Sequence, residues 1–247
     1  MPLPSLHLDK VAKTFDDLRA VDGVSLRVEA GERVAVIGPN GAGKTTTLLM
    51  ALGAIEPDEG TVRIGRFQLP RQRAQAMGGV GFAAGYLPLP DRLRVQEALA
   101  FFAELSGVAD TERAVRTVTE DLEIGYLRTK LCMSLSSGQR TLVGIAKAVL
   151  HHPGLLILDE PTASLDPDVA LRVRDRLAAI ADEHGTTLVL TSHDMREVEA
   201  LCDRVVFLRA GAVIADGPPA RIVADAGFAD LEDLFLAEAS RMRSEQL

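Results

Sequence analysis

The sequence predicts an α/β fold: a mostly parallel sheet, an antiparallel β portion near its start, and a helical insertion that splits the core. Three observations carry this reading. Val34-Ala35-Val36-Ile37, Leu155-Leu156-Ile157-Leu158 and Thr187–Leu190 are short, nearly continuous apolar runs, as expected for strands buried on both faces. Leu6, Leu8, Val24, Leu26 and Val28 alternate with polar residues, the period of half-buried antiparallel strands. Between these, about Arg92 to Leu150 carries apolar residues near helical spacing, as in Val95, Leu99, Phe102 and Leu105.

The remaining elements follow in order. Gly23 and Gly31 are expected to be turns around the early strands. Thr61–Ile64 is a short strand after the turn-rich Pro57-Asp58-Glu59-Gly60. A helix from about Asp168 to His184 separates two of the buried strands. Arg204–Leu208 and Val213–Ala215 are strands joined by a turn at Gly211, and the tail from Pro218 reads as short helices. There is no internal repeat and no low-complexity linker. The 247 residues therefore read as one domain, with a helical subdomain at about 86–150 and a C-terminal tail at about 218–247.

Composition excludes several classes. The longest uncharged stretch, Ala74 to Pro90, is broken by Gln75, Gly78, Gly79, Gly81, Gly85 and Pro88, and so falls short of the roughly 18–20 apolar residues that span a bilayer. Met1 to Lys10 lacks the basic-then-apolar pattern of a secretory leader. Cys132 and Cys202 have no metal-like spacing and read as thiols in a reducing compartment. A net charge of −8 disfavours nucleic acid as a partner, and the absence of Trp removes a base-stacking platform.

The run after Ile37 carries chemistry. Gly38, Pro39, Asn40, Gly41, Ala42, Gly43, Lys44 and Thr45 spell G-x-x-x-x-G-K-T, followed by Thr46-Thr47-Leu48-Leu49 opening a helix. Such a loop points successive backbone N–H groups at an anion, and glycine permits the path while keeping side chains off the phosphates. Lys44 can neutralise β- and γ-phosphates, and the Thr45 hydroxyl can ligate Mg²⁺. The helix N-terminus faces the same charge. A nucleoside triphosphate is the expected ligand.

A second site ends the strand Leu155–Leu158 on Asp159 and Glu160. A buried carboxylate is costly unless a charge or metal compensates it. Asp159 can hold Mg²⁺ opposite Thr45, and Glu160 can orient or deprotonate an attacking water.

Together with further motifs in fixed order, these residues resemble the nucleotide-binding subunit of an ATP-binding cassette (ABC) transporter. Leu135-Ser136-Ser137-Gly138-Gln139 resembles the signature motif, Ser164-Leu165-Asp166 the D-loop, and His193 in Thr191-Ser192-His193-Asp194 the switch histidine. Phe15, after Lys13-Thr14, stands where the family stacks an aromatic on adenine. The resemblance covers essentially the whole chain. It implies an ABC ATPase fold, ATP and Mg²⁺ as cofactors, and hydrolysis carried by Lys44, Glu160 and His193. It also implies a second ATPase subunit whose nucleotide meets Ser136, Ser137, Gly138, Gln139 and Asp166 of this one, and a separate membrane permease at the cytoplasmic face of the membrane. The tail, with Leu231-Glu232-Asp233-Leu234-Phe235-Leu236, resembles the type-2 exporter class, so export is the expected direction. The rival expectations are a soluble ABC ATPase uncoupled from transport and a regulatory subunit with weak hydrolysis.

Two positions depart from the family pattern. Ser137 replaces a glycine, which keeps the backbone N–H and a small side chain. Gly85 falls where the family usually has a glutamine near the metal, and glycine has no amide to offer.

Overall fold

The computed structural model describes residues 5–245. Met1–Pro4, on which the leader reading partly rests, and the last two residues of the tail lie outside the described residues.

The chain begins with strands β1 (Leu6–Phe15), β2 (Leu18–Val28) and β3 (Arg33–Ile37), then helix α1 (Lys44–Ala51). Strands β4 (Glu59–Ile64) and β5 (Phe67–Leu69), the short helix α2 (Arg73–Met77) and strand β6 (Val80–Ala84) follow. The helical insertion holds α3 (Val95–Leu105), α4 (Thr111–Asp121) and α5 (Ser137–Val149), with single 3₁₀ turns between α4 and α5. The core resumes with β7 (Leu155–Asp159), α6 (Pro167–His184), β8 (Thr187–Thr191), α7 (Met195–Leu201), β9 (Arg204–Arg209) and β10 (Ala212–Gly217). Helices α8 (Pro219–Ala226) and α9 (Leu231–Glu245) end the chain.

These strands form two sheets. The first is antiparallel in the order β2-β1-β4-β5; the second runs β10-β9-β3-β8-β7-β6 and is parallel except for its β10 edge. The buried runs predicted from sequence sit at the centre of the second sheet, where both faces are covered. Side chains alternate between two cores with the period of two that strands impose. Val34, Val36, Leu155, Ile157, Val189 and Val206 face the core shared with α1 and the antiparallel sheet. Ala35, Ile37, Leu156, Leu158, Leu190 and Phe207 face the core shared with the helical insertion, α6 and α7. Arg204 links the two sheets: its guanidinium donates to the Arg27 carbonyl, to Glu32 and to Asp216.

Three expectations are corrected. Gly23 is not a turn. It lies inside β2 with φ +66°, where the pairing with β1 shifts register between Val11↔Val24 and Lys13↔Val21; glycine there accommodates a bulge that sequence periodicity cannot distinguish from a turn. The helical stripe ends early: Val95 and Leu99 are buried on α3 together with Ala98 and Ala103, whereas Leu105 is 69 % exposed. The tail is not uniformly short helices, because α9 runs for 15 residues.

Candidate active site

Strand pairing brings the chemistry together. Ala84 of β6 pairs with Asp159 of β7, and Asp159 pairs with Thr191 of β8, so three strand ends finish in one row. Beside them β3 ends at Ile37 and releases the loop into α1. All four are carboxyl ends of parallel strands, where α/β sheets place ligands.

The loop path requires its glycines. Gly38, Gly41 and Gly43 have φ of 149°, 82° and 97°. A Cβ on Gly38 would lie 2.2 Å from the Leu208 carbonyl oxygen, and one on Gly43 would lie 2.5 Å from that of Ala20. The loop is thus pressed against β9 and β2 and can pass only as bare backbone. Lys44 is buried, and its Nζ donates to the carbonyls of Gly38 (2.7 Å) and Pro39 (3.2 Å). Burial pushes the Lys44 ammonium down from its ordinary pKa, against the opposing pull of the Glu160 and Asp159 carboxylates. An ammonium bonded only to neutral carbonyls in a loop of converging N–H groups is ready to exchange them for an anion.

Asp159 is 5 % exposed and is held by hydroxyls. Thr191 Oγ1 donates to Asp159 Oδ1 at 2.6 Å, and Thr45 Oγ1 donates to Oδ2 at 3.1 Å. Thr191 Oγ1 also accepts from the Glu160 N–H at 3.0 Å, and the Thr191 carbonyl accepts from the same N–H at 3.1 Å. This clamp holds Glu160 at φ 51°, a left-handed conformation uncommon for a residue with a Cβ. His193 Nε2 donates to Glu160 Oε1 at 2.7 Å, and Phe235 of α9 packs edge-on to the His193 ring with centroids 5.8 Å apart.

Tyr86 joins the same cavity, which is lined by Thr45, Gly85, Tyr86, Asp159, Glu160 and Ser164. Burial, then the Asp159 carboxylate, push the phenol up to about 12.

The structure therefore gathers Gly38, Pro39, Lys44, Thr45, Asp159, Glu160 and His193. Other expected site residues stand on other elements. Phe15 is 41 % exposed at the end of β1, with the Lys13 ammonium 5.7 Å from its ring centroid. Ser136 caps α5: its hydroxyl accepts from the Gln139 N–H at 3.3 Å, and Gln139 Oε1 accepts from the Ser136 N–H at 3.4 Å. Gly138 packs on the segment before Asp166, since a Cβ there would lie 2.9 Å from the Ser164 carbonyl oxygen. Thr141 and Ser164 share a 2.7 Å hydroxyl hydrogen bond across the same contact. Among the described residues, no hydrogen bond joins Ser136–Gln139 to the Lys44 loop. Thr191, Tyr86 and Phe235 were missed by sequence reasoning. Thr191 sits two residues before His193, one past the strand Thr187–Leu190 that the sequence predicted, whereas only tertiary packing reveals Phe235.

Replacing Thr191 by Val tests the clamp. The shape is kept, but Asp159 Oδ1 and the Glu160 N–H lose a hydroxyl in a buried place. A stability loss of about 1–3 kcal/mol is expected from such unpaired groups. Chemical denaturation checks it, and a variant as stable as the unaltered chain contradicts the clamp.

A phosphate loop after β3, a carboxylate pair at the end of β7 and a histidine just past β8, the strand between them, define a nucleotide-hydrolysing ATPase on a parallel sheet. A family model described as "ABC transporter" matches residues 21–163. The chain is 35 % identical over 249 residues to Nod factor export ATP-binding protein I of Paraburkholderia xenovorans, covering 99 % of this chain and 81 % of that protein. Among solved structures, one described as the ATP-binding subunit of an ABC transporter aligns with a TM-score of 0.86 at 27 % identity, covering 94 % of this chain and 98 % of the other. CbiO1 of Clostridium perfringens, described as part of the ABC transporter complex cbiONQ, aligns with a TM-score of 0.77 at 26 % identity, covering 90 % and 91 %. The chain belongs to the ABC transporter family, as an ATP-binding subunit. It binds ATP and hydrolyses it to power transport. No helix among the described residues is long and apolar enough to cross a membrane.

Proposed function

We propose that this subunit drives export, that it works as half of an ATP-clasping pair of ATPase subunits, and that it docks on its permease at the cytoplasmic face of the membrane. The division of the site carries this reading: Lys44, Asp159, Glu160 and His193 converge in one chain, while the capped N-terminus of α5 stands apart from them. A helix N-terminus with Ser136 and Ser137 exposed suits a phosphate offered by another subunit. Export is supported by the 35 % identical relative, whose name assigns it to Nod factor export.

The residues fit a magnesium ion. Thr45 and Asp159 present oxygen donors 3.1 Å apart, and Mg²⁺ needs few protein ligands because phosphates and waters complete its shell. Thr45 and Asp159 would hold it, and when bound it would offset charge on the β- and γ-phosphates. In this reading Gly38–Thr46 wrap the phosphates through backbone N–H groups, and Lys44 leaves the Gly38 and Pro39 carbonyls for phosphate oxygens. Glu160 takes the proton of the attacking water. His193, already bonded to Glu160, holds that carboxylate and reaches the γ-phosphate. Phe15 offers an exposed ring to the adenine. Gly138 and Gln139 with the two serines, and Asp166, face the partner's nucleotide across the seam.

Localisation tests the transporter half of the proposal. Produced with its cognate permease, the chain is expected to sediment with membranes; produced alone, it is expected in the soluble fraction. Fractionation with immunodetection decides this. A chain that stays soluble beside the permease overturns the coupling.

A further inference from the structure

Gly85 leaves the carboxyl end of β6 without a side chain, one residue beyond the row formed by Ala84, Asp159 and Thr191. The next residue fills the space. Tyr86 lines the cavity with Thr45, Asp159 and Glu160. Two hydroxyls thus hold Asp159, Thr191 from the buried side and Thr45 from the phosphate loop, and the Tyr86 phenol lines the same cavity. They differ in freedom. Thr191 is fully buried and committed to the Glu160 N–H as well, whereas Tyr86 is 56 % exposed and can turn.

A hydroxyl is both donor and acceptor. Toward a carboxylate it donates; toward a metal-bound water it accepts. Magnesium usually keeps several waters, and each bound water presents protons that need acceptors. The acceptors around this cavity include Asp159, Glu160 and the phenol oxygen. An oxygen on a side chain anchored at a strand end is better placed for this than bulk water, because its position is set by the fold.

We propose that Tyr86 is a positioning residue whose phenolic hydroxyl orients the water shell of nucleotide-bound Mg²⁺ at the Thr45–Asp159 pair, supplying from position 86 the polar group that Gly85 lacks. The proposal rests on the ATPase reading of the site. It assigns no proton transfer to Tyr86, and the ring itself is not required to touch the nucleotide.

The test compares the full chain with Tyr86→Phe, which removes one oxygen from a half-exposed ring and leaves the fold intact. A fluorescent, non-hydrolysable ATP analogue is titrated in EDTA and again in Mg²⁺. The gain in affinity that Mg²⁺ confers is the readout. In Tyr86→Phe this gain is expected to fall about three- to tenfold, the worth of one ordinary hydrogen bond, while affinity in EDTA is unchanged. A smaller fall in the gain overturns the proposal. So does an equal loss in EDTA and Mg²⁺, which would make the residue a direct nucleotide contact. If the unaltered chain binds the analogue in neither condition, the ATPase reading itself fails and takes this proposal with it.

Discussion

Glu160→Gln is expected to lower ATP turnover about 10²–10⁴-fold, the usual loss when one positioned base is removed. The side chain keeps its length, and the Glu160 N–H keeps its two bonds to Thr191, so the left-handed backbone at this position persists. What changes is the oxygen that His193 contacts at 2.7 Å and the capacity to accept a proton. Nucleotide binding should survive, because Lys44, Thr45 and Asp159 are untouched. The variant should therefore hold ATP rather than release it. Phosphate release and retained nucleotide after gel filtration measure the two effects. Turnover within about threefold of the unaltered chain would remove Glu160 from the chemistry.

The second large effect concerns the pair of subunits. With Glu160→Gln as background, ATP is expected to convert monomers to dimers, and ADP is not, because only ATP carries the γ-phosphate that bridges the seam. Ser137→Asp places a carboxylate at the first turn of α5, beside the position expected for the partner's phosphate. The helix tolerates it, since an acidic residue suits a helix N-terminus and the Ser136 cap is kept. Like charges meeting in a poorly solvated interface cost several kcal/mol, so the ATP-driven dimer should weaken at least about tenfold. Affinity of the Lys44 loop for the nucleotide should not move. Gly138→Asp is the harsher version, because its Cβ also strikes the Ser164 carbonyl at 2.9 Å and disturbs the contact that carries Asp166. Light scattering reports the dimer and fluorescence reports binding. An unchanged dimer, or equal loss of both, would place the signature helix outside the shared site.

The phosphate loop and the acid pair were legible because each is a local pattern, glycines at fixed spacing or acids at the end of an apolar run, whereas His193 was legible only through the resemblance. Local pattern failed wherever pairing decides. Gly23 looks the same in sequence whether it turns the chain or bulges a strand, and only the register of β2 against β1 distinguishes the two. Leu105 continues a helical stripe on paper, but α3 has left the core by that turn. The position at 85 read as a loss, since a glycine carries no polar group; that Tyr86 brings a hydroxyl to the same cavity depends on where β6 ends relative to β7.

The sequence by itself determined the ligand chemistry, the order of the motifs and the identity of the buried strands, because glycine freedom, charge and apolar periodicity act over a few residues. Tertiary structure decided the rest. It set Thr191 against Asp159 and Glu160, laid Phe235 of α9 on His193, and separated the Ser136 helix cap from the Lys44 loop. These contacts join residues tens of positions apart, and parallel strands brought into register by two buried cores are what hold them within hydrogen-bonding reach.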